Sequence, residues 1–350
     1  MARPRIAITM GDVAGIGPEV IVRACAASET LAACRPIVVG DRGVLEKAVQ
    51  LTGLPLRFVE VDRVDAVPDS TDVIPCWNPS AIDVSAVPPG NNDARAGRAA
   101  FDWLIAAGRA ALAGEVDAIT TAPLSKAALH LAGHLYPGHT EILAELCDVE
   151  NFAMMLYVPP NSKIGGPNGL GVAHVTLHTS IASVPSLISP EKVTETIELL
   201  HQFLQSLGCL QPKIGVCALN PHAGEEGIFG DEEARRIAPG VRVAAGKRIV
   251  ADGPIPADAL MRRAVAGEFD GVVAMYHDQG HIALKLVAFD SAVNVTLGLP
   301  IVRTSPSQGT AFDIAWKGAA RPDGMIGAIR TAAQIACTHT QKNEMGSSHE

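Results

Sequence analysis

Residues 271–305 read GVVAMYHDQGHIALKLVAFDSAVNVTLGLPIVRTS, and this stretch decides the class of fold. Two short apolar runs within it, Gly271–Met275 and Ala292–Thr296, have the length and composition of buried strands. Similar runs recur along the chain between amphipathic or alanine-rich stretches such as Ala94–Leu112 and Pro190–Leu207. Strands that alternate with helices predict an α/β fold with mostly parallel pairing. The other candidate strands are Ile6–Thr9, Pro36–Val39, Ala118–Thr121, Gly171–Leu177 and Ile214–Ala218.

Length and composition narrow the class of protein further. A chain of 350 residues has room for two domains, because single cores usually stop growing near ~250–300 residues. With 48% hydrophobic and 19% charged residues, the chain can bury a large core. A net charge of -9 argues against broad nucleic-acid binding. Any site for an anion must therefore be built from a few Lys and Arg residues at one place on the protein. Scattered cysteines without a CxxC pair, and the lack of any apolar run of ~18 residues, predict a reduced cytoplasmic protein without a signal peptide or membrane span.

Histidines stand at the ends of several candidate strands, which is where α/β sheets bind ligands. His178, His222 and His277 each follow such a strand. Together they would suit a zinc-like ion with an open position for a substrate. For any one histidine a structural role is the default, and the long separations in sequence provide no ligand spacing, so the residues alone leave both interpretations open. His174 and His281 fit the structural role better.

Other polar residues fit an anionic substrate. Lys285, Asn294 and Arg303 bring two cations and an amide into the final apolar stretch, and an arginine can bind phosphate through two hydrogen bonds. His139 and Thr140 precede a predicted helix, whose dipole favours an anion at its N-terminus. Each feature also has an ordinary structural interpretation, either as surface charges near neighbouring strands or as helix capping.

A set of segments along the chain occurs in an order that is typical of one family. The segments are MGDVAGIGPE (10–19), TTAPLSKAALH (120–130), YPGHTEILAEL (136–146), LNPHAGEEGIFGDEE (219–233), DGPIPADAL (252–260), YHDQGHIALKLVAFDSAVNVTLGLPIVRTS (276–305) and QGTAFDIA (308–315). From about Ile6 to Ile329 the chain resembles the 4-hydroxythreonine-4-phosphate dehydrogenase family of vitamin B6 (pyridoxine) biosynthesis. So many segments in one order make the resemblance specific.

The resemblance implies an isocitrate/isopropylmalate dehydrogenase-like fold, with two α/β domains and an active site in the interdomain cleft. The outer domain, on the cofactor side, would combine residues 1–130 with residues 290–340. Residues 131–289 would form the central domain, which carries the metal and the dimer contacts. The polar sequence of residues 341–350 itself predicts a disordered tail. The chain would act as a homodimer whose metal site is shared across the interface, without nucleic-acid or membrane partners.

The resemblance also implies roles for individual residues. His178, His222 and His277 would bind one divalent ion (Zn, Mg, Mn or Co), with His277 donated across the dimer interface. The substrate contacts would be His139, Thr140, Lys285, Asn294 and Arg303. Asp258 and Asp278 would be the acidic residues of the catalytic site. The cofactor contacts would be Gly309, Thr310 and Asp313.

The implied reaction is a metal-dependent oxidation and decarboxylation of a 4-phosphorylated 3-hydroxy acid, linked to NAD or NADP. Its expected form converts 4-phosphohydroxy-L-threonine to 3-amino-2-oxopropyl phosphate. One alternative is a D-threonate or D-erythronate 4-phosphate dehydrogenase that yields dihydroxyacetone phosphate, a branch to which LAGHLYPGHTEILAEL (131–146) is closer. A second alternative is a non-catalytic protein that binds phosphorylated acids. An acyltransferase of related fold would not need three ligand-type histidines.

The chain departs from the family pattern at several positions. Gln308 stands where the family usually has His, and Trp316 where it has Gly, in the segment toward the adenosine side of the cofactor. Val13 replaces a common Pro, Ala182-Ser183 replaces a usual Arg-Asp pair, and Asn161–Gly169 is an insertion. The differences at Gln308 and Trp316 bear on the affinity for the cofactor and on the choice between NAD and NADP.

Overall fold

The structure of the protein, a computed structural model, describes residues 3–64, 73–161 and 163–346, with side chains as far as residue 338. Strands and helices alternate along most of the chain. The strands are β1 Arg5–Thr9, β2 Arg35–Val39, β3 Arg57–Glu60, β4 Val73–Trp77, β5 Ala118–Thr121, β6 Ala153–Val158, β7 Leu170–His174, β8 Lys213–Cys217, β9 Val250–Ile255, β10 Gly271–Ala274, β11 Val293–Leu297 and β12 Arg303–Pro306. The helices are α1 Gly17–Ala26, α2 Ser28–Ala33, α3 Arg42–Thr52, α4 Ala94–Leu112, α5 Lys126–Leu131, α6 His139–Leu146, α7 Val184–Leu187, α8 Pro190–Ser206, α9 Ala238–Gly246, α10 Ala257–Val265, α11 His277–Ala288 and α12 Asp323–Gly346.

The chain divides into two compact units, of which the first combines Met1–Glu150 with Leu299–Glu350 and the second is Asn151–Gly298. The family resemblance placed the boundaries earlier, after residue 130 and before residue 290. Helix α6 packs on α4 of the first unit, and β11 pairs with β6 of the second unit. Helix α6 therefore belongs to the first unit and β11 to the second, whereas the expected boundaries assigned each of them to the other domain.

The C-terminal helix extends further than the sequence suggests. The tail was expected to be disordered from residue 341, whereas α12 runs to Gly346, and residues 347–350 lie outside the described part of the chain. Gln341, Lys342, Glu344 and Met345 are strong helix formers, so a polar sequence continues the helix. None of the helices in the described part is both long and apolar enough to cross a bilayer.

The sheet of the first unit is parallel and buried. Its strand order is β3-β4-β2-β1-β5-β12, and each neighbouring pair runs parallel. Ile6, Ile37 and Ile119 from the three central strands are fully buried. Parallel strands of this kind are covered on both faces, which accounts for the nearly continuous apolar runs that predict them. The carboxyl ends of β1, β5 and β12 lie at one edge, where loops 10–16, 122–125 and 307–313 follow.

The sheet of the second unit is mixed, with strand order β11-β6-β7-β10-β8-β9. Strand β6 runs antiparallel to both neighbours, and the strands from β7 to β9 run parallel. His178, His277 and His222 follow β7, β10 and β8. Because these three strands are adjacent and parallel, their carboxyl ends place the three histidine-bearing segments along one edge of the sheet.

The strand expected over Gly171–Leu177 is shorter than predicted, because it ends at His174. The N–H groups of Val175 and Thr176 still donate to carbonyls at the end of β10, and the chain then turns away. Alternation along the expected strand would place His178 on the same face as His174, but the strand ends before His178. His178 lies instead on an exposed turn beyond the strand.

Candidate active site

His178 and His277 lie side by side at this edge. The centroids of their rings are 5.8 Å apart. Two imidazoles that bind one ion through nitrogens at about 2.0–2.1 Å have centroids roughly 5–6 Å apart. The pair therefore has the spacing of two ligands of one metal ion.

His222 stands apart from this pair in the single chain. Its exposed ring lies 6.4 Å from the ring of Phe229, measured between centroids. Among the described residues, no three His, Cys, Asp or Glu side chains come close enough together to hold a metal ion. One chain thus brings two of the three predicted ligands to one place.

The backbone at His222 begins a run of left-handed residues. The φ angle is 54° at His222, 55° at Ala223, 82° at Gly224, 43° at Glu225 and 55° at Glu226. A left-handed helical conformation costs about 1–2 kcal/mol for each residue other than glycine. Such strain persists only where the surrounding structure imposes it, and it is concentrated at functional sites.

Glu233 holds the chain just before this turn. Its carboxylate is buried, and Oε1 accepts hydrogen bonds from the backbone N–H groups of Leu219 (2.9 Å) and Asn220 (2.7 Å). The side-chain amide of Asn220 donates to Oε2 of Glu233 (3.1 Å) and to Glu232 (2.7 Å). A Cβ at Gly224 would lie 2.9 Å from Oε2 of Glu233, so this position needs glycine. No local spacing in the sequence links Glu233 to the loop that it holds, and its role was missed.

Asp278 orients the imidazole of His277. Its Oδ1 lies 2.7 Å from Nδ1 of His277. Because an ionised carboxylate can only accept, Nδ1 carries the proton and Nε2 presents its lone pair. Carboxylates hold metal-binding histidines in this way. Asp258, the other acidic residue predicted at the site, is exposed in the first turn of α10.

Gln279 ties two of the strand exits together. Its Oε1 accepts from the backbone N–H of Met275 (2.7 Å), and its Nε2 donates to the carbonyl of Ala218 (2.7 Å). One side chain thereby links the exit of β10, which leads to His277, to the exit of β8, which leads to His222. This second positioning residue was also missed, because its partner across the sheet is distant in sequence.

A cavity of about 450 Å³ opens beside His178 and His277. Small-molecule sites have volumes of roughly 300–1,000 Å³. The space is therefore sufficient for a phosphorylated four-carbon acid. The other residues that line it are Leu177, Thr179, Ser180, Ile181, Val184, Tyr276 and Asp278.

Two more histidines lie behind His277. The ring of His281 is stacked on that of His277, with centroids 3.7 Å apart and planes 11° apart. His174 lies behind His281, and both are buried, in agreement with the structural role expected for them. Burial lowers the pKa of His174 to about 4 and that of His281 to about 3, the latter also because of the neighbouring His174. Both rings are therefore neutral at pH 7.

The first unit gathers three of the predicted substrate contacts. Arg303 is buried at the start of β12, where it donates to the hydroxyls of Thr121 (2.7 Å) and Thr140 (3.4 Å). Burial lowers the pKa of Arg303 to about 10, which leaves it charged at pH 7. Burial and then the positive charge of Arg303 keep the pKa of His139 well below its usual range. A cation, two hydroxyls and the N-terminus of α6 are groups that bind phosphate.

The other two predicted substrate contacts belong to the second unit. Lys285 is half-buried on α11, roughly two turns beyond His277, and its Nζ lies 6.0 Å from the centroid of the Phe289 ring. Asn294 is half-buried in β11. The five predicted contacts are thus divided between the two units.

Loops of the first unit meet around Asp12, just beyond β1. The N–H of Asp12 donates to the carbonyl of Pro123 (2.9 Å). A Cβ at Gly11 would lie 2.3 Å from the same carbonyl, and Gly11 has a φ of 67°, so glycine is required there. The carboxyl of Asp12 is fully buried, with Oδ1 accepting from the N–H of Ala14 (2.9 Å) and Oδ2 lacking a partner among the described residues. Close backbone approach and an unused acceptor suit a bound cofactor.

Asp12→Asn is expected to flatten the dependence of the free energy of unfolding on pH. Burial raises the pKa of Asp12 from 3.8 to about 6. The folded chain therefore binds the proton more tightly than the unfolded chain, and stability falls as pH rises from about 4 to 6, by up to about 3 kcal/mol. Denaturant unfolding at several pH values measures the slope, with exposed Asp252→Asn as the control. An unchanged slope in the Asp12 variant would contradict the buried-carboxyl interpretation.

The predicted cofactor residues follow β12 in the same part of this unit. The carbonyl of Thr310 accepts from the N–H of Ile16 (3.0 Å), which joins the two loops. Gly309 and Asp313 are exposed. Thr310 is half-buried between them, so the segment presents both a backbone surface and a carboxylate.

Trp316 explains one departure from the family pattern. Its φ is 59°, a value that glycine adopts without strain, and the family usually has glycine there. The indole N–H donates to the carbonyl of Val13 (2.8 Å), and the backbone N–H donates to the carboxylate of Glu19. Gln308, the other departure, donates to the carbonyl of Arg321 at 3.4 Å. Trp316 therefore compensates for its backbone strain with contacts to the loop after β1 and to the first turn of α1.

Known proteins place the chain in a family. A family model described as "Pyridoxal phosphate biosynthetic protein PdxA" matches residues 32–332. The chain belongs to this family. A 4-hydroxythreonine-4-phosphate dehydrogenase of Geobacter metallireducens is 45% identical over 95% of this chain and 96% of its own length. A D-threonate 4-phosphate dehydrogenase of Cupriavidus necator is 44% identical over 95% of this chain and 97% of its own length.

A solved structure supports the same assignment. The 4-hydroxythreonine-4-phosphate dehydrogenase of Klebsiella pneumoniae is 41% identical, with a TM-score of 0.84 over 95% of this chain and 99% of its own. The expected family and the expected α/β fold class are confirmed. Because the relatives are named dehydrogenases, membership of the family implies a nicotinamide cofactor.

Proposed function

We propose that the protein is a metal-dependent dehydrogenase that oxidises and decarboxylates 4-phosphohydroxy-L-threonine. The observation that carries this proposal is the position of His178, His277 and His222 after the adjacent parallel strands β7, β10 and β8, at one edge of the sheet. A cavity of about 450 Å³ opens there beside His178 and His277. The substrate loses hydride from C3 to NAD or NADP and a proton from its hydroxyl. The resulting 3-keto acid releases CO2, which leaves 3-amino-2-oxopropyl phosphate.

The donor set fits a divalent ion. His178, His222 and His277 would hold it, and Asp278 keeps the proton on Nδ1 of His277 so that Nε2 faces the ion. When bound, the ion acts as a Lewis acid on the substrate hydroxyl, and the nicotinamide takes the hydride. Imidazole ligands are compatible with Zn, Co or Mn, and the carboxylate and hydroxyl of the substrate suit all of these ions and Mg.

The phosphate group would be bound by residues remote from the reacting carbon. Arg303 supplies a charged fork, Thr140 a hydroxyl, and neutral His139 a further hydrogen-bonding group. Lys285 and Asn294 are proposed to complete the substrate contacts. Binding energy from this remote group would hold the carbon in place for hydride transfer.

We infer that a second copy of the chain completes the metal site. Helix α11 begins at His277 and exposes Ile282 (57%), Leu286 (82%) and, just past its end, Phe289 (62%). These residues are spaced i, i+4, i+7 and form one apolar stripe on the helix. Exposure of such a stripe to water is unfavourable, so it indicates a surface that contacts another protein. A dimer contact along this stripe would bring His277 toward the partner subunit's site, which is the shared arrangement that the family resemblance implies.

An assay panel tests the proposed reaction. The protein is offered 4-phosphohydroxy-L-threonine, D-threonate 4-phosphate or D-erythronate 4-phosphate with NAD or NADP and with Zn, Mg, Mn or Co. We expect NADH (or NADPH) and CO2 in equal amounts, with the highest kcat/KM for the first substrate. A higher value for either sugar acid would transfer the assignment to that branch of the family. Binding of the acids in calorimetry without any reduced cofactor formed would favour the non-catalytic alternative.

A further inference from the structure

A row of buried imidazoles leads from His277 into the second unit. His281 stacks on His277 at 3.7 Å between centroids, and its Nδ1 lies 3.2 Å from Nε2 of His174. Nδ1 of His174 lies 3.3 Å from the carbonyl of Met154 on β6. The row therefore starts at a half-buried histidine and ends on the backbone of the sheet.

The hydrogen-bond partners fix the proton on each buried ring. A carbonyl only accepts, so His174 donates from Nδ1 to Met154 and its Nε2 accepts from His281. Nδ1 of His281 is the donor in that contact, and it also lies 3.2 Å from the carbonyl of His277. Both rings are thus neutral and protonated on Nδ1. Each has a single orientation that satisfies its partners.

Gly280 allows this close packing. A Cβ at this position would lie 2.4 Å from Nε2 of His174 and 2.8 Å from a methyl carbon of Val172. The first turn of α11 can therefore press directly against β7. Because interiors are packed densely and the pair is hydrogen-bonded at both ends, His281 has little freedom to rotate.

We propose that His281 and His174 are positioning residues that fix the ring plane of His277 and hence the direction of its Nε2. The inference rests on the proposed function, because it takes His277 as a ligand of the ion. Asp278 determines which nitrogen carries the proton, and the stacked ring of His281 determines the plane. A ligand already held in its binding orientation loses less conformational entropy when the ion binds, so the affinity is higher.

Titration of the purified full-length protein with Co²⁺, followed by visible absorption, tests the role of His281. His281→Ala is expected to weaken Co²⁺ binding by about tenfold, as loss of a supporting group around a metal ligand does. His281→Phe keeps a flat ring against His277 and should recover most of the affinity. His281→Asn keeps a hydrogen-bond donor toward His174 but lacks the ring, so we expect it to bind Co²⁺ as weakly as His281→Ala. Because this variant can still satisfy His174, weak binding by it cannot be attributed to poor folding. His201→Ala removes a histidine on helix α8 that is not part of the row, and is the control.

A double-mutant cycle tests whether His174 acts through His281. His174→Leu is expected to weaken Co²⁺ binding in the otherwise unchanged protein. In the His281→Ala background the same change should add little, because the ring that His174 holds is gone. Nitrogen-15 NMR of the imidazoles should show the proton on Nδ1 in both rings. Additive losses in the cycle, or protons on Nε2, would contradict the proposed arrangement.

His277→Ala separates this inference from the function on which it rests. If the unchanged protein binds no Co²⁺, or if His277→Ala binds it equally well, the proposed metal site is wrong. If the unchanged protein binds Co²⁺, His277→Ala does not, and both His281→Ala and His281→Asn match the unchanged protein, the metal site stands and the positioning role is wrong.

Discussion

Replacing His222 by alanine is expected to lower turnover by more than about a hundredfold and to abolish tight binding of a divalent ion. Loss of a mere supporting partner of a metal ligand costs about 10- to 100-fold, and His222 is proposed as a ligand itself. Its side chain is exposed, so the substitution removes no core contact and the fold should persist. Formation of NADH and titration with Co²⁺ measure the two effects.

His222→Asn separates loss of the ligand from relief of backbone strain. Histidine and alanine are both strained at a φ of 54°, whereas asparagine tolerates the left-handed region better. The asparagine variant should therefore be at least as stable as the unchanged protein and as inactive as the alanine variant. Full activity in either variant would refute the metal role of His222.

Mixtures of two inactive variants extend this prediction to the dimer. His222→Ala and His277→Ala each lack one ligand at both sites of a homodimer, but a mixed dimer retains one complete site. After subunit exchange an equal mixture should contain about half mixed dimers and recover about a quarter of full activity, for a two-fold symmetric pair. Failure to recover, with both variants folded and dimeric, would contradict a shared site.

Two other mixtures identify which histidine crosses the interface. If His277 crosses, His178→Ala mixed with His277→Ala also recovers activity, and His178→Ala mixed with His222→Ala does not. The opposite outcome would mean that His178 and His277 of one chain act together, with His222 supplied by the partner. We expect the first outcome, because the exposed stripe on α11 lies directly after His277.

Arg303→Met is expected to lower kcat/KM for the phosphorylated substrate by roughly tenfold to a hundredfold. Hydrogen bonds to a charged group contribute about 1.5–3 kcal/mol, and a buried arginine offers them to phosphate in a fixed fork. The hydroxyls of Thr121 and Thr140 already hold the guanidinium, so little reorganisation is needed on binding. Steady-state kinetics measure the effect, and competition by inorganic phosphate measures anion affinity alone.

Two variants control for loss of charge and loss of fold. Arg303→Lys keeps the charge without the fork, and we expect an intermediate loss. Arg263→Met removes a half-buried arginine that pairs with Glu268 on the second unit, and should leave the kinetics unchanged. If inorganic phosphate inhibits Arg303→Met as strongly as the unchanged protein, Arg303 serves the core and not the phosphate.

The buried parallel strands could be predicted from sequence, and others could not. The apolar runs of β1, β5 and β10 are long enough to stand out, and α4 was predicted at its observed ends. Strand β12 reads Arg-Thr-Ser-Pro, so its burial rests on polar contacts that no hydrophobic pattern predicts. Strand β3 is mostly exposed, and β6, rich in Met and Leu, has few of the β-branched residues typical of strands.

The site residues could be nominated from sequence, but not their grouping. His178 and His277 come together because strands β7, β10 and β8 are neighbours in the sheet. This strand order cannot be derived from the distances between the residues in the sequence. A contact between neighbours in sequence, such as His277 and Asp278, can be predicted from the sequence alone. Supports that act across the fold, such as Glu233 on the strand exit or His174 behind His281, depend on packing that only the structure provides.

In the turn from His222 to Glu226, accessibility to water is a poor guide to which substitutions the chain can accept. Glu225 and Glu226 are exposed, and a substitution library designed on accessibility would treat them as freely variable. Their positive φ angles instead disfavour valine, isoleucine and threonine and favour glycine or asparagine. Sequence diversity at these positions is therefore limited by the handedness of the backbone, although neither side chain is enclosed by the protein.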